Sequence, residues 1–501
     1  MPIKKPLFFL PSLDVDKQLS DSVPAVQRAG WLLKIGQAYL NLKKLRKSEQ
    51  FLIDSLQLLK RPFPRSKIML GLRLTGQVIQ QGLHRLVPKF FVGRYYTQAT
   101  PLLHAAEAYA LLGNIMSQQQ RKSWTLYSHL ANLNLAESAS SHSPHLACSY
   151  AHAMLYADSI KLPRLSKYYA NHAARLQNRI TDKVAKQTVY LIMGRRCIGL
   201  GDWQGAHDNI AEGLQISKEL SDMQGQIHAH YLLSLLYQCK NEFKFEIAEA
   251  RLIYEWGLEY DDLKTQVRGL CAQSVGFLRL GDTSTAVACL KIVQALPSEC
   301  IDLTEAIRVC SLLSQVYMRQ DNVQQALEMA LKTSHLLDEM ELPSIELFEA
   351  YSSIIEVYLH LWETHYQPTT NIMERVLNTT VFSSKERFAF AKLSERICDM
   401  FDKYSEIYPV AAARSWGFYG LYHWVDGDVQ LAQRCWQRAI ECAEKYQLPY
   451  EQGLAHFEMA RHLPQSHPQT SQHIQYAYSL FKQVNAKHEL DRLNKMFNLP
   501  T

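Results

Sequence analysis

The stretch GLGDWQGA, residues 199–206, packs three glycines into eight residues. As a phosphate-cradling loop it would make the chain a nucleotide enzyme; as a turn between helices it would make the chain a scaffold. A dinucleotide fingerprint has the spacing GxGxxG between a strand and a helix. Here Gly199, Gly201 and Gly205 are spaced GxGxxxG, and the preceding QTVYLIMGRRCIGL reads as a continuing helix. The Walker pattern GxxxxGK[ST] is absent from the chain. The stretch therefore predicts a turn, in which Gly201 stops one helix in a left-handed conformation and Asp202 caps the next.

Working outward from Gly201-Asp202, a period of 40 residues emerges. Lys161-Leu162, Asn241-Glu242, Gly281-Asp282 and Asp321-Asn322 occupy the same phase, between apolar helical runs. Four residues before each turn stand Ala157, Cys197, Tyr237, Phe277 and Tyr317; seven before stand Met154, Gly194, Ser234, Ser274 and Ser314. Five after stand Ser166, Ala206, Glu246, Ala286 and Ala326; nine after stand Ala170, Ile210, Ala250, Leu290 and Ala330. Small residues let antiparallel helices approach, and an aromatic three positions on shares the same face and fills the adjoining groove. Met154 and Glu246 depart from this pattern, so their units are expected to pack less regularly.

This grammar is that of tetratricopeptide-like helical hairpins, whose usual period is about 34 residues. It predicts an all-α, right-handed α-solenoid with a period near 40 residues and a concave groove. Gly36, Tyr39, Ser48 and Leu52 supply an earlier unit; Gly420, the Gly427-Asp428 turn, Ala432, Trp436 and Ala439 supply a later one. The register slips between Asp321 and Gly427, across THYQPTTNIMERVLNTTVFSSKERF. The expected organisation is an extended lead-in over 1–29, a repeat array over 30–363, an irregular loop or atypical unit over 364–388, and C-terminal repeats over 389–501. Each hairpin needs a neighbour to bury its face, which argues against fully independent domains.

Composition agrees with a folded helical chain. Hydrophobic residues make up 47% of 501, with only 18 prolines and 21 glycines, so helix breakers are sparse. The ten cysteines are scattered without a CxxC pair, and read as buried small hydrophobes of a reducing, cytoplasmic compartment. Cys435 and Cys442 could share a helix face, but two thiols make no metal site. The apolar run between Pro6 and Pro11 is too short for a signal-peptide core, and no run reaches the about 18 residues of a membrane span. His228 and His230 lie on opposite sides of a helix, and His142 and His145 flank a Ser-Pro loop. HExxH and GxSxG are absent. No catalytic residue, metal site or cofactor is therefore assigned. Tyr95-Tyr96 and Tyr168-Tyr169 could stack on bases or peptides, although packing within repeats is the plainer account.

Charge is uneven. Residues 34–94 hold thirteen Lys/Arg against Glu49 and Asp54, a local +11 within a chain of +6. Lys43, Lys44, Arg46, Lys47, Arg61, Arg65, Arg85, Lys89 and Arg94 form a candidate basic docking face. A solvated surface or a docking surface for an acidic partner fits better than a nucleic-acid site, because leucines and valines interrupt the run.

Within RPFPRSKIMLGLRLTGQVIQQGLHRLVPKFFVGR, residues 61–94, the elements Pro62-Phe63-Pro64, Leu83-His84-Arg85 and Phe91-Val92-Gly93-Arg94 carry a resemblance. They resemble the C-terminal helical region of bacterial signalling proteins that join an adenylate/guanylate cyclase domain, a STAND/AAA-type ATPase and a tetratricopeptide array. IGQAYLNLKKLRKSEQFLIDSL is similar to that family's entry repeat, and YGLYHWVDGDVQLAQRCWQRAIECAEKYQLPYEQGLAHFEMARHL to its last repeats. The cyclase aspartates and the Walker motifs have no counterpart here, so no catalytic residue carries over. The resemblance implies the regulatory array alone: a non-enzymatic module that binds a protein or peptide partner, such as an ATPase or cyclase module, without a membrane. Two other readings stay open: an effector-binding sensor of the transcription-regulator type, and an enzyme on a helical-repeat scaffold.

Overall fold

The computed structural model describes residues 23–140, 142–297, 301–366, 384–464 and 467–499. Contact density divides the chain into two units. Unit 1 comprises Met1–Ala153 with His172–Arg179, and unit 2 comprises Met154–Asn171 with Ile180–Thr501. The described residues form helices joined by turns and short loops, with no strand among them.

Unit 1 contains α1 (Ala25–Asn41), α2 (Leu45–Leu58), α3 (Lys67–Leu86), the single turn α4 (Pro88–Phe91), α5 (Ala99–Gln118) and α6 (Lys122–Ala139). The division between units runs through α7 (Pro144–Ser159) and α8 (Pro163–Gln177). Unit 2 continues as α9 (Lys183–Leu200), α10 (Trp203–Glu219), α11 (Met223–Cys239), α12 (Phe243–Glu259), α13 (Leu263–Leu280), α14 (Thr283–Ala295), α15 (Leu303–Arg319) and α16 (Val323–Asp338). It ends in α17 (Phe348–Tyr366), α18 (Ser384–Ser405), α19 (Ala412–Asp426), α20 (Val429–Tyr446), α21 (Pro449–His462), α22 (Thr470–Gln483) and α23 (Lys487–Phe497). Four consecutive hairpins open at Lys183, Met223, Leu263 and Leu303, and their second helices at Trp203, Phe243, Thr283 and Val323. Both series step by forty. From α9 onward each helix packs on the next, and the first helices α9, α11, α13, α15, α17, α19 and α21 also pack on one another, forming one layer.

The turn column has a backbone meaning. Lys161, Gly201, Asn241, Gly281 and Asp321 all take positive φ, at 58°, 72°, 64°, 85° and 58°. The following amide reaches back to the carbonyl five residues earlier: Leu162 to Ala157, Asp202 to Cys197, Glu242 to Tyr237, Asp282 to Phe277 and Asn322 to Tyr317, at 2.8–3.0 Å. This is the Schellman closure that satisfies orphan helix carbonyls. Asp202 then accepts the Gly205 amide at 3.1 Å, and Asp282 accepts the Thr285 amide at 3.0 Å, as capping requires.

The small-residue column is equally physical. A Cβ built at Gly194 would lie 2.6 Å from Ile210, at Gly36 2.9 Å from Leu52, and at Gly420 2.2 Å from the indole of Trp436. In each case the glycine receives the side chain sixteen residues on. Gly113 and His129, which the sequence reading did not single out, obey the same rule. Ala206, Ala286, Ala326, Ala432, Trp436 and Ala439 are fully buried. Tyr39 stacks on Phe51, and Tyr237 meets Phe245 at a tilt, each with ring centroids 5.4 Å apart. Phe277 and Tyr317 flank the core built on Leu270, Val275 and Leu312.

Several expectations need correction. The lead-in ends earlier than residue 29, because α1 begins at Ala25; residues 1–22 lie outside the described residues. The irregular stretch is narrower than 364–388: α17 extends through Tyr366 and α18 begins at Ser384, while 367–383 lie outside the described residues. Glu246 does not loosen its hairpin. The Asn241 turn closes like the others, and Glu246 occupies the alanine position fully buried. The groove of unit 2 is also not open along its length. Trp203 Nε1 donates to the Tyr446 carbonyl at 2.7 Å, and a Cβ on Gly199 or Gly201 would lie within 2.7 Å of Tyr408 or Tyr446. Early turns of the solenoid thus press against later ones, and the glycines that end α9 leave room for those rings.

Neither carboxylate oxygen of Glu246 has a hydrogen-bond partner. Burial, and then the nearby Glu349, push its carboxyl well above the ordinary range, which favours its protonated form. As pH rises above the ordinary carboxyl range, the unfolded chain releases this proton while the folded chain retains it, and stability falls. Glu246→Met should therefore stabilise the protein by about 1–3 kcal/mol in urea titrations, with a gain that grows between acidic and mildly alkaline pH. Ala206→Trp should do the reverse, lowering stability by about 3 kcal/mol or more through overpacking against α9.

Candidate functional site

Unit 2 encloses a cavity of about 530 Å³. It opens between the inner faces of five helices, each presenting residues at helical spacing. From α15 come Gln315, Met318 and Arg319; from α17, Glu356, His360 and Glu363; from α19, Arg414, Phe418 and Leu421. From α21 come Glu451, Leu454, Glu458 and Arg461, and from α23, His488, Glu489, Arg492 and Lys495. Steps of three and four keep each set on one side of its helix.

Most of these charges are already paired. Glu349 of α17 accepts from Arg414 at 2.9 Å and from Arg279 of α13. Arg414 also donates to Ser352 at 3.2 Å and to Glu451. Arg279 donates to the Tyr450 hydroxyl at 2.8 Å, and that hydroxyl donates to Glu489, 3.3 Å away. Arg492 closes on Glu489 at 2.7 Å. At the far side, Arg461 bridges Glu363 and Glu458 at 3.0 and 2.8 Å. Arg279, Glu349, Arg414, Glu451 and Glu489 are all buried, so each ion depends on its partners to offset lost hydration.

The titration behaviour follows. Burial alone would raise the Glu349 carboxyl, but Arg279 and Arg414 outweigh it and hold it below the ordinary range. Glu489 falls to about 2: Arg492, then His488 and Arg319, overcome its burial. Glu458 falls to about 2 under Arg461 and His462, again against burial. His488 is pushed down to about 4 by burial and then by Arg319, so it is neutral at pH 7.

Arg319 stands apart. It is half-buried, its guanidinium donates to the Leu278 carbonyl at 2.6 Å, and no carboxylate among the described residues pairs with it. Burial holds its pKa below the usual guanidinium value, yet arginine remains charged. A desolvated cation with spare donors facing a cavity is an anion receptor.

The sequence reading missed these residues, although one column carried a signal. Two positions before each turn stand Ser159, Gly199, Cys239, Arg279 and Arg319. The change from small or thiol side chains to arginine marks where the inner face becomes charged.

The predicted basic face lies in unit 1. Lys43, Lys44, Arg46, Lys47, Arg61, Arg65, Lys89 and Arg94 are exposed, as a docking face requires. Arg85 is not part of it. Its guanidinium turns inward to the fully buried Glu137 at 2.8 Å, which His84 at 2.7 Å, Tyr150 at 2.7 Å and Gln81 at 3.1 Å also reach. The nine described cysteines are free, seven of them buried; Cys300 lies outside the described residues. No helix among the described residues is long and apolar enough to cross a membrane.

No family model matches the sequence, and no curated protein matches it. Solved structures do. One is the crystal structure of Rap protein complexed with competence and sporulation factor, matched over 84% of this chain and 99% of that chain. The TM-score is 0.54 and the sequence identity 10%. The likeness is one of fold: it places this chain among all-α, tetratricopeptide-like helical-repeat solenoids.

Because Glu458 and Glu489 are depressed, their contribution is present above the ordinary carboxyl range and is lost as pH falls towards 2. Six of the eight tryptophans lie in unit 2, so intrinsic fluorescence reports on it. Acid titration should show a loss of stability between about pH 5 and pH 2. Glu489→Gln should flatten that loss while lowering stability at neutral pH by about 2–3 kcal/mol.

Proposed function

We propose that unit 2 is a receptor whose cavity takes a short peptide segment with a free carboxylate and at least one cationic group. In this reading the array transmits its occupancy to a partner protein and catalyses no reaction. The observation that carries it is Arg319: a charged guanidinium with no carboxylate partner among the described residues, facing a cavity whose other charges are largely paired. The lining holds six Asp/Glu against five Lys/Arg, a balance that suits a zwitterionic ligand better than a polyanion. Cavity size lies within the range of ligand pockets, about 300–1,000 Å³. The fold likeness to a protein solved in complex with competence and sporulation factor is consistent with a ligand-holding array. The resemblance of residues 61–94 to regulatory arrays supports a bacterial signalling context, with an ATPase or cyclase module as the class of partner.

A pool of short synthetic peptides, supplied with free and with amidated C-termini, tests this directly. Peptides retained through rapid gel filtration and identified by mass spectrometry should carry the free carboxylate. Amidation, or Arg319→Gln, should weaken their binding at least about tenfold, and Lys44→Gln should leave it unchanged. Retention of neither form, or equal retention of both, would overturn the reading.

A further inference from the structure

Helix α3 is built inside out. Its inward face is largely polar: beside the buried Leu70, Gln81 and His84 reach Glu137 of α6 at 3.1 and 2.7 Å, and Asn134 of α6 donates to the Gln77 carbonyl at 2.9 Å. Its outward face is apolar. Ile68, Leu72, Ile79 and Leu86, at helical spacing on one side, and Phe90 of α4 just beyond are 60–81% exposed. Gly71 and Gly76 on the same helix have nothing within 4 Å of a built Cβ, so none of the described residues of unit 1 covers the ridge. A water-facing helix ordinarily shows the opposite arrangement, and an exposed apolar stripe of this length marks a contact surface.

The charge around the ridge identifies what covers it. From Ser55 to Ala106 the chain carries eight Lys/Arg and no Asp or Glu. Arg65, Lys67, Lys89 and Arg94 are exposed beside the ridge, while Lys60, Arg61 and Arg73 line a hollow of about 430 Å³ next to α3 with no carboxylate in its lining. A second copy is a poor occupant, because a two-fold contact through α3 would set these cations against each other. The chain's own residues 1–22 are also a poor match, with three lysines against three aspartates. An apolar ridge flanked by cations, ending in the exposed aromatics Phe90, Tyr95 and Tyr96, is the pattern of a helix lying in a membrane interface.

We propose that α3 and α4 dock unit 1 onto an anionic lipid bilayer, with Ile68, Leu72, Ile79, Leu86 and Phe90 entering the headgroup–acyl boundary and the flanking cations on lipid phosphates. The helix lies on the bilayer and does not span it. The inference uses residues of unit 1 alone and is independent of the cavity of unit 2.

Flotation of the full chain with lipid vesicles tests it. The protein should rise with vesicles containing phosphatidylglycerol and remain below with vesicles of phosphatidylcholine alone, and added salt should release it. Leu72→Asp and Ile79→Asp, both at exposed positions, should abolish flotation while circular dichroism and the melting temperature stay unchanged. Lys67→Gln and Lys89→Gln should each reduce partitioning by about fivefold. Failure to float with anionic vesicles, equal binding to phosphatidylcholine, or undiminished binding of the aspartate variants would each overturn the proposal. So would a dimer in light scattering that Ile79→Asp dissolves without any vesicle binding, which would assign the ridge to a second copy. Capture of an acidic protein through the ridge by a chain that ignores anionic vesicles would assign it to a protein partner.

Discussion

The hairpins that open at Lys183, Met223, Leu263 and Leu303 depend on reversing the chain within about two residues while still satisfying the carbonyls at the end of their first helices. One left-handed residue achieves this, and it must recur at the same phase so that the next pair meets the same surface. Steric repulsion on Cβ makes that conformation unfavourable for most residues, which is why glycine, asparagine or aspartate fills four of the five turn positions from Lys161 to Asp321. The second condition is depth of approach. A side chain from the second helix enters the space that a small residue leaves on the first, sixteen positions earlier. The layer of first helices follows from these two conditions, and the cavity follows from that layer.

The interior of unit 2 then poses an electrostatic problem. Burying arginine and glutamate in a helical core is unfavourable unless every ion keeps close partners. The structure meets this by sharing: Glu349 serves Arg279 and Arg414, Arg414 serves Glu349 and Glu451, and Tyr450 joins Arg279 to Glu489. Two groups do not conform. Among the described residues, Glu246 has no hydrogen-bond partner and burial favours its neutral form, whereas Arg319 has no carboxylate paired with it and stays charged. Of the two, Arg319 faces the cavity and offers its charge to a ligand.

The fold was legible because its determinants are periodic and local. Turn residues, caps and small residues recur at fixed offsets, and Gly201, Asp202 and Ala206 take the roles their positions imply. The site was not legible, because its pairs join residues with no fixed sequence relation: Arg279 to Glu349, and Arg414 to Glu451. Arg85 shows the same limit. In the sequence it is one cation among thirteen, and only folding reveals that Glu137 lies beneath it. The outward ridge of α3 escaped for a related reason: periodicity shows that a helix has an apolar side but not which way that side faces.

The sharing of Glu349 also limits how this array can change over time. In an ordinary solenoid each hairpin touches only its neighbours, and units can be gained or lost one at a time. Here the partners of one buried carboxylate come from α13 and α19, and α23 is tied to α13 through Tyr450. Removing or inserting a single hairpin between them would shift one set of charges out of reach of the other and strand ions in the core. The number of repeats between Arg279 and Glu489 is therefore fixed by charge register, and sequence drift in this stretch is confined to substitution and to loops that leave the count intact.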